Sequence, residues 1–167
     1  MSWIKESEQD GKTQKEEELQ RKKDLEYKLD KLMDSAQGLI DSVFASLREG
    51  GYSVTENPRI PDSYTPLPFS FNIPKTLGVP ALMDSTNRYA YSRLFEIADR
   101  DYDIGSIHLI PVKDGDSIRC VLIAGFLLYD RKEKKIIESD QPNKELPVDS
   151  DQLILMLKEW IAKRHSK

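Results

Sequence analysis

Apolar residues recur every three or four positions between residues 25 and 47, and this spacing predicts one long amphipathic helix. The apolar row consists of Leu25, Leu29, Leu32, Met33, Ala36, Leu39, Ile40, Val43 and Leu47. It is narrow around Leu25, like a coiled-coil seam, and broadens after Leu32, like a helix that packs on a globular core. No proline interrupts residues 15–49, and Gly50-Gly51 is typical of a left-handed C-terminal cap.

The beginning of this helix is dominated by charge, since 13 of the 20 residues 15–34 are Asp, Glu, Lys or Arg. A helix over residues 15–49 is about 50 Å long, whereas a compact body of about 120 residues is roughly 35 Å across, so one end must overhang. We therefore expect a disordered tail at residues 1–14, a charged helical extension at 15–31 and one domain at 32–167.

Two β-rich runs on either side of Asp114-Gly115 predict an antiparallel hairpin, because Asp-Gly suits the positive φ angles of a tight turn. With that turn, His108 would pair with Val121. The second run, residues 118–129, is apolar on both faces, which predicts a central strand covered on both sides. Shorter strands are expected at residues 52–55 and 136–137.

Two further helices are predicted after the N-terminal one. The spacing of apolar residues favours a helix over residues 86–99, although the aromatic content of that stretch is also compatible with a strand. Asp149 and Gln152 form a capping-box pattern ahead of a C-terminal helix. The predicted fold class is α+β, with a small antiparallel sheet of three to four strands packed by three helices.

The stretch 57–80 contains six of the nine prolines, interleaved with large apolar residues such as Tyr64, Phe69 and Phe71. Prolines favour an extended backbone, and the apolar residues argue against a simple linker. We expect an ordered wrap that covers the core, with a groove for a ligand or peptide as the alternative.

Composition limits the classes of function. The net charge is −4, and the basic residues are interleaved with acidic ones, which argues against nucleic-acid binding. Cys120 is the only cysteine, so neither an intramolecular disulfide nor a thiolate metal cluster is possible. The sequence has no apolar run long enough to span a bilayer. We expect a soluble cytoplasmic protein.

Candidate catalytic and metal-binding residues are few. His108 and Cys120 could form a base and a nucleophile, but the predicted pairing places them on opposite faces of the sheet. Asp99, Asp101 and Asp103 have the spacing of a calcium loop, but the glutamate expected at its twelfth position is Ile110. We predict no catalytic residue, no metal site and no cofactor.

The favoured hypothesis is a non-enzymatic accessory or adaptor subunit of a cytosolic multiprotein assembly, docking through its N-terminal helix. Its partner-binding residues are predicted to be Leu19, Leu25, Leu29 and Leu32. One alternative is a ligand-binding or catalytic domain with a site between the proline-rich wrap and the sheet. Another is a structural homodimer joined by the same helix.

Overall fold

The structure, a computed structural model, describes residues 2–57, 92–114, 117–140 and 144–167 of the 167-residue chain. Within these ranges the structure does not describe the side chains of Lys22, Leu25, Asn57 and residues 112–114. The described residues form two helices and six strands. In chain order these are α1 Trp3–Glu49, β1 Ser53–Asn57, β2 Arg93–Ala98, β3 Tyr102–Asp114, β4 Ser117–Asp130, β5 Lys135–Ser139, β6 Lys144–Leu146 and α2 Ser150–His165.

The chain divides into two compact units, Met1–Lys31 and Leu32–Lys167. The first unit is the N-terminal part of α1, which begins at Trp3 rather than near residue 15. Residues 3–14, expected to form a disordered tail, are therefore helical in the structure. Ser2 caps this end, since its Oγ accepts a hydrogen bond from the Lys5 amide at 3.5 Å. Low apolar content does not reveal such local stabilisation, because capping buries no apolar surface.

The predicted glycine cap ends α1. The amide of Gly51 donates to the carbonyl of Arg48 at 3.1 Å, and that of Tyr52 donates to the carbonyl of Leu47 at 3.0 Å. This pair of bonds defines a Schellman motif, which requires a left-handed residue at its centre. Gly51 has a φ of 92° and meets that requirement.

The strands form one antiparallel sheet in the order β1-β2-β3-β4-β5, and β6 pairs with β4 beside β5. The α+β class is thus confirmed, but the described residues contain two helices and six strands rather than three helices and three to four strands. The predicted strand count was too low partly because β4 is long enough to pair with both β5 and β6. β6 lies in a stretch, residues 144–146, for which no strand was predicted.

The helix predicted over residues 86–99 is wrong where the structure describes it, because Arg93–Ala98 forms β2. Residues 86–91 lie outside the described residues. β2 pairs with β1 on one side and β3 on the other. Leu94, Phe95 and Ile97 are all buried, so apolar residues occur on both faces of the strand and imitate helical spacing.

The β3–β4 hairpin forms as predicted, but its register differs by two residues. His108 pairs with Ile123 instead of Val121. The last pair is Asp114 with Ser117, one position later in each strand than residues 113 and 116, which a turn at Asp114-Gly115 would leave as the last pair. Because side chains alternate with a period of two, this shift leaves every residue on its predicted face.

Both helices contribute to the core on one face of the sheet, here called the helix-covered face. The packing includes an aromatic pair between α1 and β2, with the Phe44 and Phe95 ring centroids 4.7 Å apart. The rings of Phe126 and Trp160 form a second pair at 5.8 Å. The core side chains of the helices are Met33, Ala36, Ile40, Val43, Phe44, Leu47, Leu153, Leu157 and Trp160.

The C-terminal helix α2 is capped as predicted by Asp149, whose carboxylate accepts a hydrogen bond from the Asp151 amide at 2.8 Å. The second face of the sheet is also buried around Leu94, His108 and Ile123. Burial on both faces confirms that β4 is a central strand covered on both sides. The proline-rich stretch 58–80, with the wrap and the groove predicted for it, lies outside the described residues.

Candidate interaction surface

The helix of the first unit carries its charged side chains into solvent. All described side chains of residues 2–21 are exposed. Glu17 and Arg21 lie one turn apart with 3.9 Å between their charged groups, and Gln20 donates to Asp24 at 3.0 Å. Such exposed pairs stabilise a helix by only a few tenths of a kcal/mol each. The stretch therefore contributes local helical stability but no apolar core.

The four predicted partner-binding leucines differ in their surroundings. Leu19 is 52% exposed and Leu32 is half-buried. Leu29 is 1% exposed and presents no surface in this structure. The side chain of Leu25 lies outside the described part of the chain. The structure thus exposes Leu19, partly exposes Leu32, and does not combine all four leucines into one exposed row.

The first unit exposes further apolar side chains in addition to Leu19. Tyr27 is 61% exposed, and its ring lies under the ammonium of Lys31 at 4.5 Å. Trp3 and Ile4 are 74% and 50% exposed. Leu19 and Tyr27 are eight residues apart, so they project about 80° apart around the helix axis and share one side of it. Tyr27 could not be singled out from the sequence, because an isolated tyrosine among charged residues forms no periodic pattern.

In the second unit, the outward side of α1 is almost uncharged. Its exposed residues are Ser35, Gly38, Leu39, Ser42, Ala45, Ser46 and, in the last turn, Glu49, while the exposed Asp34 and Asp41 lie farther round the helix. Leu39 is 58% exposed although its spacing places it in the apolar row of the helix. A Cβ added at Gly38 would meet nothing within 4 Å, so packing within the described chain gives no reason for a glycine there. Glycine inside a helix costs about 1 kcal/mol relative to alanine.

Another side of the same helix is attached to the sheet. The guanidinium of Arg93 on β2 contacts Asp34 at 2.7 Å and Gln37 at 2.6 Å. Farther along, Arg48 donates to the carbonyl of Val54 on the edge strand β1 at 3.1 Å. These contacts fix the rotation of α1 about its axis. As a result, Leu39 points away from the sheet.

The candidate catalytic pair does not form. His108 lies on the second face of the sheet, whereas Cys120 packs against the core of the helix-covered face. Burial lowers the pKa of His108 to about 3, so its imidazole is neutral at physiological pH. Burial also raises the pKa of the Cys120 thiol to about 11, which disfavours the nucleophilic thiolate. This geometry and these pKa values argue against joint catalysis.

The aspartates with calcium-loop spacing are used inside the fold. Asp99 accepts hydrogen bonds from the amides of Asp101 and Tyr102 at 2.9 and 2.8 Å. It also pairs with Arg164 of α2, while Asp103 pairs with Arg131 at 2.9 Å. Among the described residues, no group of three or more His, Cys, Asp or Glu side chains could hold a metal ion. The carboxylates thus connect the β2–β3 turn to α2 through Arg164 and to the end of β4 through Arg131.

A small recess lies between β4 and α2. It encloses about 260 Å³, part of which is open solvent. Its apolar lining includes Phe126, Met156 and Trp160, and its charged lining includes Asp140 and Glu159. Lys163 lies 3.5 Å from each of these two carboxylates, and Lys144 also lines the recess, so two cations balance the two anions at this edge. The recess offers no convergent set of polar groups of the kind that fixes a ligand.

Comparison with known proteins adds no constraint on this surface. Neither a protein-family model, nor a curated protein, nor a solved structure matches the chain. In the part of the chain that the structure describes, no helix has the length and apolar character needed to cross a membrane.

Proposed function

We propose that this protein is a non-enzymatic accessory or adaptor subunit of a cytoplasmic multiprotein assembly, and that it docks through α1. The observation that carries the proposal is the exposure of Leu19 and Tyr27, 52% and 61%, among residues 15–31, most of which are charged. Most helical stability in proteins comes from packing an apolar side rather than from local propensity. A partner that covers these two side chains would supply that packing to the first unit.

The surroundings of Leu19 indicate what kind of partner fits. Charges of both signs surround the two apolar side chains, including Glu17, Arg21 and Lys23. A matching surface has a small apolar patch and a polar rim, the composition common to interfaces between proteins that also exist apart. Among the other predicted contact residues, Leu25 stays a prediction, Leu29 has no exposed surface to contribute, and Leu32 belongs to the second unit, where it is half-buried.

The test of this proposal replaces Leu19 and Tyr27 by serine in the full-length chain. Both side chains are exposed, so their loss should leave the fold unchanged and release the partner. A thermal unfolding transition lowered as strongly as by a core substitution would contradict the proposal, because it would show that both side chains support the fold itself.

A second candidate, self-association through α1, is supported by the outward side of this helix in the second unit. Leu32 and Leu39 are seven residues apart, the repeat that places side chains on one seam of a paired helix. Gly38 lies beside Leu39, and a residue without a side chain permits close approach of another helix. In this candidate the exposed Leu39 packs against a second copy of the chain.

Sedimentation velocity over a wide range of concentrations tests self-association. The purified chain should shift from monomer to dimer as its concentration rises, and Leu39→Ser should abolish the shift. Ala45→Ser is the matched control, since Ala45 is also exposed on this side of α1 but has little side chain to lose. A wild-type monomer at every concentration would exclude the homodimer and leave a different protein as the partner.

A further inference from the structure

We draw no further inference here: the strongest candidate, the second face of the sheet, on which Leu94, His108, Ile110 and Ile123 are buried, carries nothing because the described residues do not show what covers it.

Discussion

Trp160 of α2 occupies the space that Gly105 of β3 leaves free by having no side chain. A Cβ built on Gly105 would lie 2.6 Å from the Trp160 ring and 2.6 Å from the carbonyl oxygen of Gly125. Real Cβ atoms do not approach other atoms so closely, and a backbone carbonyl in the centre of a sheet cannot move aside easily. This contact therefore determines how closely α2 can pack against the sheet.

We predict that Gly105→Ala lowers the free energy of unfolding by about 2 to 3 kcal/mol, because it overpacks a filled core. Gly38→Ala is the control, since a Cβ there meets nothing within 4 Å and alanine favours a helix. This control should raise the free energy of unfolding by about 0.5 to 1 kcal/mol. Urea denaturation of both variants measures the two effects. An unchanged free energy of unfolding in Gly105→Ala would show that α2 does not pack against Gly105 as described.

We next predict energetic coupling between Asp99 and Arg164, which join the β2–β3 turn to the end of α2. The Arg164 Nε and an Asp99 carboxylate oxygen are 2.5 Å apart, and the side chains are only 15% and 13% exposed. Burial by itself would raise the pKa of Asp99. Hydrogen bonds from the Tyr102 and Asp101 amides and from Arg164 outweigh it and lower the pKa below its usual value.

The coupling is measured by a double-mutant cycle with Asp99→Asn and Arg164→Gln at neutral pH. Asparagine keeps one oxygen for the two backbone amides, but it removes the charge and replaces the oxygen that faces Arg164 with an amide nitrogen. We expect each single variant to lose about 2 kcal/mol or more, and the double variant to lose less than their sum by at least about 1 kcal/mol. Strict additivity would mean that the pair contributes nothing to the attachment of α2.

The stability of the fold should decrease in mild acid because of His108. Its pKa is about 3 in the folded protein, as a result of burial, against an ordinary value of 6.5. Between these two pKa values, His108 therefore binds a proton in the unfolded chain but not in the folded one. Stability is fully present above pH 6.5 and is lost as the pH falls from there towards 3. Between about pH 7 and about pH 5, this histidine alone should remove about 2 kcal/mol.

The variant His108→Leu tests this pH dependence. His108 pairs with Leu94 on one side and Ile123 on the other, and a leucine between these strands binds no proton, so the variant removes this titration. Each protein is denatured with urea at both pH values, and only the difference between them is compared, so any constant cost of repacking cancels. The variant should lose about 2 kcal/mol less than the wild type. An equal loss in both proteins would assign the acid sensitivity to other groups.

Local chemistry made much of this fold predictable from sequence. The glycine cap at Gly51, the Asp149 cap of α2 and the β3–β4 hairpin each depend on a few neighbouring residues. β2 was missed because a strand buried on both faces has apolar residues on both, and six residues are too few to distinguish that pattern from a helix. The two-residue error in register had a similar cause, since Asp-Gly indicates a turn without fixing which residues pair last.

The candidate surface was less predictable than the fold. Helical spacing assigns Leu29 and Leu39 to the same apolar row, yet Leu29 is 1% exposed and Leu39 is 58% exposed. Periodicity tells which way a side chain points, but how far the rest of the protein extends beside it depends on tertiary structure. The sequence could therefore indicate that α1 has surplus apolar residues without identifying the exposed ones.

The central claim is that α1 binds a partner through Leu19 and Tyr27. Its most direct measurement uses the full-length chain as bait in extract of the cells that produce it, with each co-purified protein quantified. The test variant is Leu19→Ser with Tyr27→Ser. The matched control is Gln9→Ser with Gln14→Ser, which places two serines in the same exposed helix and removes no apolar side chain.

We predict a partner that wild type and control retain equally and that the test variant loses at least about tenfold, equivalent to 1.4 kcal/mol or more of binding free energy. Circular dichroism should show the same helix content in all three proteins. The account would be contradicted if the test variant retained every protein that the wild type retains, or if the control lost them to the same extent.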